Sequence, residues 1–238
     1  MLLVIKYRIK NILVVFCLLF TVINAENNKS VAANFERNIR STHSNEHISG
    51  NFFYNGVKTF VHIVKPVNQW VVLDGISTLF YYPDEQKALR IRSKSCSQLA
   101  FLQSFLGGTK QVQAADNGFF LESTQKKHDT LYSVWSIKAK KIKRGYPCKI
   151  ISVYIKDMPL YIEAYDKDKA LISKTVYNDC LVNKGQYYPM TITMSTYGTS
   201  DADNETVHFS NAVFEAATPE EVAHFVLPEH VVVKEYKW

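Results

Sequence analysis

The sequence predicts a mainly β protein with a few helices. A curved antiparallel sheet is expected to form an incomplete barrel, and the helices are expected to form a lid over a hydrophobic cavity. Short apolar runs recur along the chain with turn residues between them. At Met190, Ile192 and Met194 the apolar residues alternate with polar ones, as expected for an antiparallel sheet with one solvated face. About ten such strands would twist and curl. The few short helices cannot cover both faces of that sheet.

Turn signals divide the predicted strands. Asn55-Gly56 and Asp74-Gly75 lie between apolar runs, and both residues of each pair are expected to adopt positive φ in a tight hairpin turn. Four strands are predicted before residue 97, near 49–55, 58–64, 68–73 and 78–82. After a segment without strand pattern, further strands are predicted near 118–122, 131–137, 149–155, 160–165, 170–177, 188–197 and 206–214.

Helical spacing appears in three segments. Residues 30–41 are predicted as a short helix because Val31, Phe35 and Ile39 recur every four residues. Residues 97–106 carry an apolar face at helical spacing that ends at Gly107-Gly108. Its members are Leu99, Leu102, Phe105 and Leu106. The run Thr218-Pro219-Glu220-Glu221 reads as a capping box that opens a helix reaching about His224.

The first residues have the order of a secretory signal peptide. Lys6, Arg8 and Lys10 precede an apolar stretch at 12–23, and Asn24-Ala25 offers a cleavage site. A membrane anchor is the less favoured interpretation, because a span needs roughly 20 apolar residues. Cys17 follows the bulky Phe16 and is not expected to carry a lipid anchor. We therefore predict removal of residues 1–25 and a single unanchored domain over residues 26–238.

Composition narrows the function classes. Nearly half of the residues, 47%, are hydrophobic, which is enough for a real core. The net charge is +6, and removing the leader's three positive charges leaves +3, which does not favour nucleic-acid binding. Cys96, Cys148 and Cys180 remain and allow at most one internal disulfide. The sequence contains no phosphate loop, nucleophile elbow or Cys-x-x-Cys motif, so no cofactor and no catalytic residues are expected.

Two stretches of the chain resemble a known family in the order of their short motifs. The first comprises Ser49-Gly50-Asn51-Phe52-Phe53, Lys65-Pro66, Asp74-Gly75 and Thr78-Leu79-Phe80-Tyr81-Tyr82-Pro83. The second comprises Val213-Phe214, Pro219-Glu220-Glu221, His224-Phe225-Val226-Leu227-Pro228 and Val231-Val232-Val233. Together they resemble the outer-membrane lipoprotein carrier proteins, or LolA-like proteins. The resemblance implies an unclosed barrel with a helical lid over a hydrophobic cavity.

The resemblance also implies a function, partners and a location. A LolA-like protein is expected to be a monomeric, non-enzymatic carrier in the periplasm with a chaperone-like role. It would bind lipoprotein acyl chains and take lipoproteins from an inner-membrane release complex to an outer-membrane acceptor. Family members hold the lid with an arginine after the first strand. Lys58 stands in that region and is the possible lid contact, although lysine lacks the forked donors.

The candidate lipid-binding residues are large apolar side chains from the predicted strands and the middle helix. A closed aromatic core is the competing interpretation of such residues. Each buried methylene stabilises a bound acyl chain by about 0.8 kcal/mol. A carrier therefore needs an extended apolar lining to bury a whole chain. The predicted lining consists of Trp70, Val72, Phe80, Tyr82, Leu99, Leu102, Leu106 and Trp135.

Two other functions stay open at the level of sequence. One is a lipid-sensing regulator of envelope stress with the same fold, for which the lipid is a signal and not a cargo. The other is a secreted zinc hydrolase, because His43-Ser44-Asn45-Glu46-His47 matches the H-x-x-E-H pattern. That pattern needs a buried helix, whereas here it lies in a polar stretch, so no metal site is assigned.

Overall fold

The structure, a computed structural model, describes residues 30–42, 44–92, 100–106, 119–137, 146–197 and 202–237. The predicted signal peptide at 1–25 lies outside the described residues. The described chain falls into two compact units, which we describe separately. Unit 1 contains the described residues within 39–44 and 97–206, and unit 2 those within 24–38, 45–96 and 207–238. A single domain over 26–238 stays a prediction.

Strands dominate the described residues. They are β1 Val31–Ser41, β2 Ser44–Tyr54, β3 Thr59–Lys65, β4 Gln69–Leu73, β5 Thr78–Tyr82, β6 Lys87–Arg92, β7 Phe119–Lys127, β8 Thr130–Ile137, β9 Lys149–Ile155, β10 Met158–Tyr165, β11 Leu171–Asn183, β12 Gln186–Tyr197, β13 Ala202–Phe214 and β14 Val233–Lys237. The helices are a 3-10 turn at Pro83–Glu85, α1 at Ala100–Leu106 and α2 at Glu220–Ala223. None of the helices described has the length and hydropathy of a membrane span.

The strands hydrogen-bond in the order β14-β6-β5-β4-β3-β2-β1-β13-β12-β11-β10-β9-β8-β7, with β14 and β7 at the two ends. Pairing is antiparallel from β2 to β6 and from β7 to β12, and β14 pairs with β6 in parallel. The sheet therefore does not close into a barrel. This confirms the predicted fold class of a mainly β protein with few helices and an unclosed sheet.

The predicted N-terminal helix at 30–41 is wrong. This segment is β1, in which Val31, Ala33 and Phe35 are buried in alternation, at 2%, 4% and 1% exposure. A spacing of four residues is a multiple of two, so it fits a strand as well as a helix. The apolar Ala33 between Val31 and Phe35 is the residue that distinguishes a strand from a helix.

Two smaller predictions also need correction. β6 is not among the predicted strands, because Lys87, Arg90 and Arg92 break its apolar run. The C-terminal helix is shorter than predicted: it begins at Glu220 after an N-cap at Pro219, which makes no side-chain cap hydrogen bond. Proline has no side-chain acceptor, so the capping box does not form there.

The hairpin turns are shifted by one residue from the predicted positions. The Asp74 amide donates to the Ser77 carbonyl over 3.2 Å, which makes Gly75 and Ile76 the central pair. Of these two residues only Gly75 has a positive φ, 86°. The Asp74 side chain instead accepts bonds from the amides of Ile76 and Ser77, at 3.1 and 2.7 Å, and from the Ser77 hydroxyl at 3.0 Å. Asn55 and Gly56 form a matching turn, with 3.1 Å between the Asn55 amide and the Lys58 carbonyl.

The described cysteines carry no disulfide. Cys148 and Cys180 are free thiols, and Cys96 lies outside the described residues. Burial raises the pKa of both thiols, so both are expected to stay protonated and weakly reactive at neutral pH.

Asp74 gives a pH-dependent prediction. Partial burial tends to raise its pKa, but the Ser77 and Ile76 hydrogen bonds and the nearby Lys58 charge outweigh burial, and the pKa is lowered. The stabilisation is therefore present above the unfolded-state pKa and is lost as pH falls through the lower folded-state pKa. We expect Asp74→Ala to lower the free energy of unfolding by about 1–3 kcal/mol at neutral pH, and by less in acid.

Urea unfolding of both proteins across the acidic range measures this difference. Asp74→Asn is the matched control, because its amide oxygen still accepts the two backbone bonds but does not titrate. A wild-type advantage over Asp74→Ala that is constant with pH would contradict the role given to the carboxylate.

Candidate functional site

Helix α1 presents a continuous apolar surface in unit 1. Four of its seven residues, Phe101, Leu102, Phe105 and Leu106, are only 0–6% exposed. Positions separated by three or four residues lie on one side of a helix, so Phe101 and Leu102 are buried on the same side as Phe105 and Leu106. The helix packs on β12, where the Phe105 ring lies 5.7 Å from the Tyr188 ring.

The face of the unit 1 sheet that α1 contacts is its apolar face, and we call it the α1 face. Side chains alternate along each strand, and directly paired residues lie on the same face. The strand pairing relates Tyr188 on β12 to the residues of β11, β10, β9 and β8 that lie on the same face. Its buried members are Ser133, Trp135, Ile150, Ser152, Tyr154, Ala164, Thr175, Tyr177, Tyr188, Ile192 and Met194.

The opposite face of the same strands carries a group of polar and charged side chains around Glu163. Lys174 contacts the Glu163 carboxylate at 2.9 Å and lies 4.9 Å from the centre of the Tyr161 ring. The Tyr165 hydroxyl also donates to Glu163, at 2.8 Å. Burial, followed by the Glu163 interaction, raises the pKa of Tyr165 to about 12. The hydrogen bond from Lys174 to Glu163 raises the lysine pKa as well. An apolar ligand would therefore meet unit 1 on the α1 face.

Three of the predicted lining residues lie in unit 1. Leu102 and Leu106 lie on α1, at 2% and 6% exposure. Trp135 lies on the α1 face of β8, in a cluster with Phe119, Ile150, Ala164 and Ile172. Leu99 lies outside the described residues.

Unit 2 separates the other four predicted residues into two pairs. The register of β4 and β5 pairs Trp70 with Tyr81 and Val71 with Phe80. Trp70 and Val72 therefore lie on one face, and Phe80 and Tyr82 on the other. These four side chains cannot line one surface of the unit 2 sheet.

The face that carries Trp70 and Val72 is covered by the end of the chain, residues 220–233, which we call the C-terminal segment. Phe225 in this segment lies 5.2 Å from the Trp70 ring and 6.1 Å from the Phe60 ring. Trp70 also stacks on His62, with ring centres 4.3 Å apart and planes 8° from parallel. Residues Leu79, Ala88 and Val231 form the buried cluster beside them. The protein's own residues thus occupy this face.

Lys58 lies in the exposed turn that follows β2. Its amide donates to the Asn55 side chain over 2.7 Å, and its charge contributes to lowering the pKa of Asp74 in the neighbouring turn. These local interactions fix the turn, and the lid contact stays a prediction.

An open hollow of about 600 Å³ lies beside α2, lined by Pro219, Glu220, Glu221 and His224. His62 approaches Glu221 there at 3.9 Å. The lining shares no residue with the predicted lipid-binding set, and two carboxylates do not suit an acyl chain. We therefore place the candidate site on the α1 face and not in this hollow.

The segment considered for zinc chemistry is not helical. Glu46 and His47 are exposed neighbours on strand β2 and so point to opposite faces. His47 pairs with the Asn38 side chain at 2.9 Å, and His43 lies outside the described residues. Within the described ranges, no three His, Cys, Asp or Glu residues are grouped to hold a metal ion. The H-x-x-E-H pattern thus lacks the helical geometry that a metalloprotease motif needs.

Comparison with known proteins reveals the fold. No family model matches the sequence, and no curated protein is significantly similar. Among solved structures, the chain is similar to a LolA superfamily protein from Nitrosomonas europaea, with a TM-score of 0.54, 15% identity, and 82% of this chain and 90% of that chain covered. It is also similar to a domain described as an outer membrane lipoprotein-sorting protein from Vibrio parahaemolyticus, with a TM-score of 0.53, 13% identity, and 81% and 88% covered.

The chain has a LolA-like fold. A DUF1329 family protein from Desulfovibrio piger shares it at a TM-score of 0.53 and 13% identity, with 82% of this chain and 90% of that chain covered. The predicted resemblance is thereby confirmed at the level of the fold.

Several residues of α1 and of the α1 face were not among the predicted lining residues. Phe101 and Phe105 lie beside the predicted Leu102 and Leu106, and both are at most 2% exposed. Ile150, Ile192 and Met194 belong to the same face of the sheet. The alternation of Met190, Ile192 and Met194 predicted β12. The residues of this face on the other strands are identified only when the observed strand pairing is followed from β12.

Phe225 provides a test of the C-terminal segment. We expect Phe225→Ala to lower the free energy of unfolding by about 1–2 kcal/mol, since a half-buried aromatic ring is lost from beside Trp70. Trp70 should become more hydrated, which shifts its fluorescence to longer wavelength. Val226→Ala is the matched control, because Val226 is 79% exposed. Equal effects of the two variants would contradict the packing described here.

Proposed function

We propose that this protein is a periplasmic carrier that binds lipoprotein acyl chains and moves lipoproteins from the inner to the outer membrane. The LolA-like fold supports this proposal. The observation that carries it is the apolar contact between α1 and the α1 face of unit 1. Under the proposal, α1 is the lid and acyl chains replace it on the sheet.

The energetics of that exchange are balanced. Burying one large apolar side chain is worth about 1.5–3 kcal/mol, so the four buried residues of α1 contribute roughly 6–12 kcal/mol. About a dozen buried methylenes of an acyl chain contribute roughly 10 kcal/mol. Because the two quantities are similar, an acyl chain can displace α1, and α1 can displace the acyl chain in turn. A carrier needs both steps, since it must load and release its cargo.

The proposal includes export and two membrane partners. The predicted signal peptide at 1–25 would place the mature chain in the periplasm. An inner-membrane release complex would load the carrier, and an outer-membrane acceptor would unload it. The protein would act as a monomer and without catalysis.

Leu102 tests the α1 site directly. We expect Leu102→Glu to weaken binding of a fluorescent fatty acid by roughly tenfold or more, because a carboxylate replaces an apolar side chain that is 2% exposed. Far-UV circular dichroism should keep its β signal, since α1 contains only seven residues.

Ile76→Glu is the control for added charge, because Ile76 is 73% exposed in a turn of unit 2. It should leave binding unchanged. Binding by Leu102→Glu at the wild-type affinity would remove Leu102, and with it α1, from the site.

Transfer is tested separately from binding. Purified protein added to spheroplasts should release a triacylated lipoprotein into the supernatant, where immunoblotting detects it as a complex with the carrier. Leu102→Glu should release far less, and Ile76→Glu should match the wild type. If the wild-type protein binds acyl chains tightly but releases no lipoprotein, the lipid-sensing function is favoured over transport.

A further inference from the structure

Three buried polar groups on the α1 face lack a hydrogen-bond partner in the described part of the chain. They are the Ser133 hydroxyl, the Ser152 hydroxyl and the Trp135 indole N–H. The three residues are 1%, 0% and 9% exposed. An unpaired buried polar group costs about 1–3 kcal/mol, so three together on one surface are a substantial cost. A ligand that pairs with them would recover that cost.

The strand register places these groups side by side. Ser133 on β8 is directly opposite Ser152 on β9. Directly paired residues have Cβ atoms about 4.5–5.5 Å apart. Trp135 is two residues further along β8, about 7 Å from Ser133 on the same face. We call this group of three donors the acceptor niche.

The chemistry of the acceptor niche favours a neutral acceptor. An indole N–H can only donate, and each hydroxyl can donate once. The positions around the niche on β8, β9 and β10 carry no charge: they are Leu131, Ile137, Ile150, Tyr154, Ile162 and Ala164. A carboxylate or phosphate buried there would have no cation at these described positions to balance it, which is far more costly than burying a neutral carbonyl.

We propose that the acceptor niche binds the ester carbonyl oxygens of esterified acyl chains. This inference rests on the proposed carrier function and specifies which part of the lipid unit 1 recognises. It makes the protein selective for ester-linked lipids over free fatty acids and over ether-linked lipids of the same length.

A row of side chains connects the niche to α1. Ser152 pairs with Ile162, Ile162 with Thr175, and Thr175 with Met194 on β12. α1 packs on β12. An acyl chain whose ester oxygen is held at the niche can therefore extend along this row to the strand that α1 covers.

Matched lipids test the proposal without any variant. Dioctanoylglycerol carries two ester carbonyls, the corresponding dioctyl ether of glycerol carries none, and octanoate carries a free carboxylate. We expect isothermal titration calorimetry to show that the wild-type protein binds the ester roughly tenfold or more tightly than the ether, because each recovered hydrogen bond is worth about 0.5–1.5 kcal/mol. Per acyl chain, octanoate should bind more weakly than the ester.

The double variant Ser133→Ala/Ser152→Ala tests the residues. We expect it to lose most of its preference for the ester, because the Trp135 N–H is the only one of the three donors that remains, while its affinity for the ether stays at the wild-type value. The lipid-free variant should be no less stable than the wild type, because alanine removes hydroxyls that have no partner. Ser195→Ala is the control, since that hydroxyl bonds Asn204 at 2.8 Å on the opposite face of β12. It should retain the preference for the ester.

The outcomes separate the two proposals. If neither glycerolipid binds, the carrier function and the acceptor niche are both overturned. If both bind equally to the wild-type protein, or octanoate binds best, the niche is overturned and the carrier function stands. If the double variant keeps the preference for the ester, Ser133 and Ser152 are not the donors.

Discussion

The organisation of this protein depends on how the apolar sheet faces are kept from water. A strand directs alternate side chains to opposite faces, so a strand with buried residues on one side needs a cover on that side. Each described unit covers part of its sheet with its own residues. In unit 1 α1 packs on β12, and in unit 2 the C-terminal segment packs on the face that carries Trp70 and Val72.

The two covers differ in how firmly they are held. The C-terminal segment continues into β14, which pairs with β6 from Val233 to Lys237 through the sheet backbone. Glu235 contacts Arg90 and Arg92 of β6 at 3.5 and 3.1 Å, which adds to that attachment. Displacing the segment would break a strand pairing as well as apolar contacts. α1 is a seven-residue helix outside the sheet, so displacing it leaves the backbone pairing of the sheet intact. This difference supports unit 1 as the place of the proposed ligand exchange.

Much of the fold could be predicted from the sequence, because strand alternation and turn residues are local signals. The strands from 49 to 82 and from 119 to 214 were found with bounds that shift by a few residues. The error at 30–41 arose because the spacing of Val31, Phe35 and Ile39 fits the periodicity of a helix as well as that of a strand. Cover by the C-terminal segment could not be predicted, since Phe225 and Trp70 are far apart in sequence and meet only in the folded chain.

The strand register separates residues that the sequence analysis grouped into one lining. With Gly75 and Ile76 as the two central turn residues, Asp74 faces Ser77, so even-numbered residues of β4 face odd-numbered residues of β5. A two-residue turn at Asp74-Gly75 would set Leu73 opposite Ile76 and follow the same rule, so Trp70 and Phe80 were grouped by residue type and not by strand register. The burial of Leu102, Leu106 and Trp135 could be expected from helical spacing and aromatic bulk, which require no register, and their role in the lining stays a prediction.

The unpaired donors of the acceptor niche also bear on the proposed exchange of ligands. A permanently closed core would favour alanine at Ser133 and Ser152, since an apolar side chain of similar size avoids the cost of an unpaired hydroxyl. In the proposed carrier that cost is recovered when an ester carbonyl accepts hydrogen bonds from these donors. The cost therefore acts against the empty state of the protein and favours the state with an ester bound. A purely apolar chain gains nothing from the donors, so the proposed selectivity follows from leaving them unpaired on a face that receives lipid.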